Sequence, residues 1–315
     1  MSEVVGLEIL NLEEVVDGGI YKDKICYISD YSVIPYGSEG KERLQGTITH
    51  KGKTKVIKSF DKVIVDFFKS NELLGAIVKL KVKGGVYNNK LELTVQEVSL
   101  DVGNYTLSHF LKSVDVPKVF NEFKSFLNQE LSQNYYTAIT KVLNNTTISN
   151  FMTAFAGSKM HDAQVGGLMW HTLKMMKIAR LLVESDSRLE PYKDILYAGL
   201  VFHDVGKIYE MSQGVYTKNS FVTHRTIGIE MLAEHKGDIS ALIGETNYYH
   251  ILAIIQGHHG EYGDKPKTVW AYISHLIDML DSQTTGIMDK IEAGEVSTNT
   301  AGNNTLYVDG RALVL

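Results

Sequence analysis

The chain has 315 residues, 44% apolar and 22% charged, with a formal net charge of -5 and a single cysteine, Cys26. That length suits two domains with ample cores, and one cysteine excludes a disulfide framework or a multi-cysteine zinc site and fits a reducing cytoplasm. Residues 1–14 lack the basic start and apolar core of a signal peptide, and no apolar run approaches the roughly 20 residues that span a bilayer, so a cytoplasmic location is expected.

From residue 22 to residue 100 the pattern has a period of two. Lys24-Ile-Cys-Tyr-Ile-Ser, Gly46-Thr-Ile-Thr-His, Thr54-Lys-Val-Ile-Lys, Ala76-Ile-Val-Lys-Leu-Lys-Val and Lys90-Leu-Glu-Leu-Thr-Val alternate or nearly so, which predicts strands. Gly84-Gly85 and Asn88-Asn89 supply turn chemistry between the last two. Val63-Ile-Val-Asp-Phe-Phe reads equally as strand or helix. About five short strands with one helix-sized insertion is the count of an OB-like β-barrel, expected over residues 1–103. Between Lys41 and Lys90 there are 12 Lys and Arg against 4 Asp and Glu. A basic segment in an acidic chain points to a polyanion, the alternative being lysines that guard strand edges. Barrels that bind single-stranded nucleic acid pair a basic groove with aromatic platforms. Lys79, Lys81, Lys83 and Lys90 are candidates, with Tyr27, Tyr31, Tyr36, Phe60 and Tyr87. Most of these aromatics compete with a place in the core; Tyr87, beside a turn and between lysines, is expected to be exposed.

Residues 101–106, with Gly103-Asn104, are expected to form a linker. Helical spacing starts at Leu107, Phe110 and Leu111 and continues from Val116, with Pro117 suited to a first turn. Two short helices are predicted at 135–143 and 148–155. The helix after Gly167 carries Leu168, His171, Met175, Ile178 and Leu182 at spacings of three and four, a core-facing stripe. A lone histidine there is more often a core residue than a ligand, but the downstream pair His203-Asp204 reverses that.

Ile195-Leu-Tyr-Ala-Gly-Leu-Val-Phe-His203-Asp204-Val-Gly206-Lys207 predicts a buried helix that ends on an adjacent imidazole and carboxylate. Side by side they can bind one divalent ion, and the second carboxylate oxygen can reach another. Gly206 would allow a tight exit after the helix C-terminus and hold Lys207 nearby. Further on come His224, then His258-His259 after an apolar run, then Asp278 and Asp281 on an amphipathic helix. Imidazole and carboxylate without thiolate suit manganese, iron, cobalt, nickel or zinc better than calcium. Several helices that each give one or two inward ligands are how helical bundles build metal sites.

The His-Asp-x-Gly-Lys run and the order His, His-Asp, His, His-His, Asp resemble the HD phosphohydrolase superfamily. The resemblance implies one ion on His171, His203, Asp204 and Asp278, with Asp204 bridging to a second on His224 and His258. His259 is then a ligand or a hydrogen-bond partner, Asp281 is the alternative to Asp278, His275 would stand behind the ligands, and His161 is a further candidate. Two divalent ions, manganese favoured over cobalt, iron, nickel or zinc, imply in-line attack of a metal-bound hydroxide on phosphorus. Asp204 and Lys207 are the expected catalytic groups, Lys207 adding positive charge to the phosphoryl oxygens.

The expected fold is thus α+β with two domains: an OB-like β-barrel over 1–103, an all-α HD bundle over 104–284, and a tail, 285–315, of unassigned role. This arrangement resembles the YhaM family of bacterial 3′→5′ exoribonucleases. The residues behind the resemblance are Gly85-Val-Tyr-Asn-Asn-Lys90, His161 through Gly167-Leu168 and His171, Tyr197 to Lys207, Gly257-His-His-Gly-Glu-Tyr-Gly263 and His275-Leu-Ile-Asp-Met-Leu-Asp281. It implies a manganese- or cobalt-dependent enzyme that removes nucleotides from single-stranded 3′ ends, RNA favoured over DNA. Where that family tends to show paired histidines this chain has His161-Asp162. The tail's Thr305-Leu-Tyr-Val-Asp-Gly-Arg reads as a strand and turn, closing over the site or forming a subunit contact in a homo-oligomer. Two other readings stand beside this one. An HD nucleotide phosphohydrolase or phosphodiesterase acting on small nucleotides would not need the basic barrel. A non-catalytic single-strand-binding protein would not need the intact ligand order. Gly260-Glu-Tyr-Gly departs from the Gly-Tyr-Pro signature of HD enzymes that open cyclic dinucleotides.

Overall fold

The computed structural model describes residues 7–37, 40–158, 162–308 and 310–315. The chain folds as two compact units, Met1–Lys112 and Ser113–Leu315. The first is an OB-like closed β-barrel and the second a helical bundle, an α+β architecture.

In the first unit a short strand, β1 (Glu8–Ile9), runs parallel to β2 (Ile20–Pro35). Next come β3 (Glu42–His50), β4 (Lys53–Ser59), helix α1 (Lys62–Ser70), β5 (Ile77–Tyr87) and β6 (Lys90–Ser99). The order β2-β3-β4-β6-β5 closes because β2 pairs with both β3 and β5. Its 16 residues allow this. The first half lies against β5 and the second against β3, with register shifts at Tyr21/Lys24 and Ile28/Asp30, irregularities that bend a strand between two partners. Gly46 faces the second shift, where a Cβ would lie 2.6 Å from the Asp30 carbonyl oxygen. On β5 the alternation is clean: Val78, Leu80 and Val82 enter the core, and Lys79, Lys81 and Lys83 take the other face.

The ambiguous stretch after β4 is the helix α1. Asp61 caps it, accepting from the Val63 amide at 2.8 Å, and Ile64, Val65 and Phe68 bury one face. Asn88 and Asn89, both at positive φ, turn the β5–β6 hairpin. Gly84-Gly85 does not: both glycines lie inside β5, paired with Leu93 and Glu92. Gly84 is needed where the chain from Val16 to Gly19 crosses β5, since a Cβ there would lie 2.1 Å from the Val16 carbonyl oxygen.

The division between units falls after Lys112, beyond the expected 103, because the intervening residues are tied to the barrel. Tyr105 donates its hydroxyl to the Leu7 carbonyl at 2.6 Å. Phe110 is fully buried with Ile25 and Tyr27, stacked on the Tyr27 ring at 6.4 Å.

The second unit contains α2 (Val116–Glu130), α3 (Gln133–Val142), α4 (Asn145–Thr153), α5 (Gly167–Ser185), α6 (Lys193–Phe202), α7 (Lys207–Glu210), a two-stranded ribbon of β7 (Met211–Ser212) and β8 (Val215–Tyr216), then α8 (His224–Ala233), α9 (Lys236–Ile243), α10 (Glu245–Gly257) and α11 (Val269–Glu292). Helix α6 is the axis. Every residue from Ile195 to Phe202 is buried, which explains a sequence apolar on all sides, and α5, α10 and α11 pack around it. On α5 the buried face includes His171, Met175, Met176, Ala179 and Val183. Leu182, expected on that stripe, is exposed, because the buried face passes through Ala179 and Val183 instead. Helix α11 runs through the start of the expected tail. β9 (Ser297–Thr298), β10 (Asn304–Val308) and β11 (Arg311–Val314) then form a small antiparallel sheet, and Lys290 donates to the Tyr307 carbonyl at 3.0 Å. No helix of the described residues is long and apolar enough to cross a membrane.

Replacing Phe110 with Ala empties a fully buried ring site and is expected to destabilise the barrel by about 3–5 kcal/mol. The check is a lower urea midpoint for the barrel's unfolding with the helical unit's transition unmoved.

Candidate metal centre

Five helices of the second unit converge their ionisable side chains. Helix α5 carries His171, the end of α6 leads into His203-Asp204, α8 begins with His224, α10 ends before His258-His259, and α11 carries Asp278 and Asp281. Gly206 sets one of these approaches, though not by a left-handed exit: its φ is -65°. What it supplies is room. A Cβ there would lie 2.0 Å from the His224 carbonyl oxygen and 2.8 Å from the Gly228 amide nitrogen. The missing side chain lets the start of α8 sit on the turn after α6, and that puts His224 beside Asp204.

Four imidazoles are gripped at Nδ1. His203 Nδ1 lies 2.7 Å from the Leu200 carbonyl oxygen and His258 Nδ1 2.9 Å from that of Ile255. His171 Nδ1 lies 2.7 Å from Asp281 Oδ2, and His224 Nδ1 2.9 Å from Glu210 Oε2. Carbonyls and carboxylates accept only, so Nδ1 carries the proton and Nε2 is left to face inward. The inward nitrogens meet. His171 and His203 Nε2 are 3.3 Å apart, as are those of His224 and His259. Asp204 stands between the two pairs, with Oδ2 3.3 Å from His203 Nε2 and Oδ1 3.2 and 3.4 Å from Nε2 of His224 and His258. Asp278 Oδ1 reaches His171 Nε2 at 3.2 Å.

Lone pairs aimed at one another are unfavourable unless a proton or a cation lies between them. Asp204 Oδ1 and His258 Nε2 are buried with no hydrogen-bond partner, a costly state in a protein interior. Both observations fit a bound divalent cation. Among the described residues, Asp204, His224, His258 and His259 have ligand atoms within 4.8 Å of one another, and so do His171, His203 and Asp204. Asp204 belongs to both sets.

The electrostatics match. Burial opposes charge on Asp204, but Lys207 and His203 outweigh it and hold the carboxyl well below the usual carboxylate range. Lys207 Nζ sits 2.6 Å from Asp204 Oδ2; burial opposes its charge too, and Asp204 keeps its pKa raised. Burial, with His258 alongside, pushes His259 down to about 3, and burial lowers His258 as well, so both offer neutral nitrogens. His171 goes the other way. Burial works against its charge, but Asp278 and Asp281 raise it to about 9. A proton is thereby held between His171 and Asp278, in a position a divalent cation would take with release of that proton.

Asp278 and Asp281, open alternatives by spacing, lie on opposite sides of His171, at Nε2 and Nδ1 respectively. A third set, Asp162, His171 and Asp281, already has a cation, since Lys174 Nζ lies 2.9 Å from Asp162 Oδ2 and 3.0 Å from Asp281 Oδ2. His275 donates to the His258 carbonyl at 2.7 Å. His161 lies outside the described residues. Sequence reasoning missed Glu210, whose second oxygen also accepts from the His224 backbone amide at 3.0 Å. A glutamate between Ile208 and Met211, both buried, was the available signal.

In the barrel, Tyr87 is 60% exposed, with Lys58 Nζ 4.6 Å over its ring. Lys79 pairs with Asp101 at 3.2 Å and Lys81 with Glu97 at 2.6 Å; Lys83 and Lys90 have no carboxylate partner among the described residues. Tyr27 is buried, and Tyr31 packs on Phe68 and donates its hydroxyl to the Phe68 carbonyl, so neither presents a free face. Tyr36 and Phe60 meet edge to face at 5.0 Å beside a cavity of about 400 Å³ that Lys41 and Lys62 also line.

Glu210→Ala is expected to weaken divalent-cation binding about 10- to 100-fold, measured by competition against a chelator, with Glu210→Gln closer to the parent because an acceptor for Nδ1 remains. Equal affinities for all three would show that His224 needs no such support.

Residues 169–292 match the HD domain family. The chain is 28% identical over 234 residues to the 3'-5' exoribonuclease YhaM of Bacillus subtilis (strain 168), covering 69% of this chain and 73% of that protein. It is 27% identical over 228 residues to the YhaM of Shouchella clausii (67% and 69%) and 26% identical over 239 residues to that of Listeria welshimeri (70% and 74%). No solved structure matches significantly. The helical unit built around His203-Asp204 carries an HD domain, and the chain is similar to the YhaM 3'-5' exoribonucleases along about seven tenths of its length.

Proposed function

We propose that this chain is a metal-dependent 3′→5′ exoribonuclease that hydrolyses the phosphodiester bonds of single-stranded RNA. The observation that carries the reading is the shared carboxylate: Asp204 belongs to two adjoining sets of imidazole nitrogens whose lone pairs converge. The similarity to relatives named as 3'-5' exoribonucleases supplies the polymer and the direction. The HD centre supplies the reaction class, hydrolysis at phosphorus.

His171, His203, Asp204 and Asp278 would hold one divalent cation and Asp204, His224 and His258 a second, with His259 beside it; manganese suits this donor set. Bound there, such cations make water a nucleophile near neutral pH and offset charge on the phosphoryl oxygens. The protein's own groups do the rest. Asp281, Glu210 and the carbonyls of Leu200 and Ile255 orient the imidazoles. Lys207 brings an ammonium to Asp204, where a phosphoryl oxygen would gain from it. In the barrel, Lys79, Lys81 and Lys83 lie on one face of β5. With Lys90 and the exposed ring of Tyr87 they would hold single-stranded RNA through phosphate and base contacts.

Two outcomes test this. With manganese, the chain should shorten labelled single-stranded RNA from its 3′ end. Asp204→Ala should lose that activity by at least about 1,000-fold yet still bind RNA; retained turnover contradicts the metal assignment, and a preference for mononucleotides over RNA contradicts the substrate. Replacing Lys79, Lys81 and Lys83 with Ala together should weaken RNA binding and flatten its dependence on salt, by about 0.7 in log-log slope for each phosphate that is no longer neutralised. An unchanged slope would remove the barrel lysines from the interface.

A further inference from the structure

Two aromatic side chains stand almost entirely in solvent on the short turns that precede His224 and follow His259. Phe221 and Tyr262 are each 92% exposed, the most exposed large apolar side chains among the described residues. Phe221 ends a short 3-10 turn three residues before His224, and Tyr262 ends another three residues after His259. Those two histidines face each other at 3.3 Å.

Each loop is fastened to the helical unit. Arg225 Nη1 donates to the Gln256 carbonyl at 3.0 Å and to Asp264 Oδ2 at 2.9 Å. A Cβ on Gly263 would come within 2.9 Å of the same nitrogen. The Phe221 loop is anchored by Thr217 and Asn219, whose side chains donate to the Tyr209 carbonyl at 3.0 and 3.2 Å. Anchored loops that still leave both rings in solvent make those rings available to a ligand.

The charges around them say which ligand. Lys218 on the first loop and Lys265 and Lys267 on the second are exposed, with no carboxylate partner among the described residues. Asp264 is engaged by Arg225 and Gln256, which leaves Glu261 as the free acid of these loops. Exposed rings interleaved with unpaired ammoniums suit a polymer that has flat apolar bases on a phosphate backbone.

We propose that Phe221 and Tyr262 stack the bases of the last nucleotides of the RNA and so present the terminal phosphodiester to the metal centre. The proposal rests on the exoribonuclease reading above. Stacking does not discriminate among bases, which is what stepwise removal of successive nucleotides requires.

The test uses the full chain with manganese and two RNAs of one sequence, one intact and one whose last three 3′ nucleotides lack bases. On intact RNA, Phe221→Ala and Tyr262→Ala should each lower kcat/KM by about 5- to 100-fold. On the abasic end they should change it less than about twofold, because there is no base for either ring to stack on. Phe221→Trp and Tyr262→Phe should restore the parent's rate on intact RNA. Unchanged kcat/KM on intact RNA, or equal losses on both substrates, overturns the stacking role while parent activity upholds the exoribonuclease reading. A parent chain that leaves both RNAs whole contradicts that reading and the stacking with it.

Discussion

An imidazole whose Nδ1 donates a proton to an acceptor has one lone pair left, and its direction is fixed by the ring. In the helical unit four histidines are held this way, two by backbone carbonyls and two by carboxylates. The consequence, once His171 releases the proton it shares with Asp278, is a knot of nitrogen lone pairs and two carboxylates in a buried space. Such a knot is unfavourable by itself, since unsatisfied buried polar atoms cost about 1–3 kcal/mol each. A divalent cation turns the same arrangement into a favourable one.

The rest of the unit serves that convergence. Helix α6 is buried from Ile195 to Phe202 and delivers His203 and Asp204 at its end. Gly199 and Gly206 remove side chains where neighbours press closest: a Cβ on the first would lie 2.2 Å from Ile254 Cδ1, and on the second 2.0 Å from the His224 carbonyl oxygen. Helix α10 can therefore pack against α6, and α8 against the turn after it. Lys174 and Lys207 supply positive charge on opposite sides of the cluster, the first to Asp162 and Asp281, the second to Asp204, so the buried carboxylates are paired as burial demands.

Much of this was legible because chemistry-bearing residues interrupt apolar patterns. His203-Asp204 after an apolar helix and His258-His259 after another stand out by contrast, and strand alternation in β5 predicts which lysines share a face. Four features were not legible, each for a physical reason. Gly206 looks like a helix stop, but its role depends on a backbone segment about twenty residues away. Asp278 and Asp281 share one helix, so only the rotation of α11 against α5 tells front from back. Gly84-Gly85 reads as a turn because glycine permits turns, whereas here it permits a crossing chain. Glu210 is a single acid four residues from Gly206, and nothing local ties it to His224.

Under the proposed function the barrel and the helical unit would contribute different physics, weak distributed contacts to a charged polymer in one and a few tightly directed ligand atoms in the other. The second is where the account stands or falls. The most direct measurement is the X-ray absorption spectrum of the full chain loaded with manganese. A first shell of mixed nitrogen and oxygen, with the outer-shell scattering of imidazole rings and a second metal at about 3.5–4 Å, is the predicted result. A shell of oxygen alone, as in the hydrated ion, would contradict it.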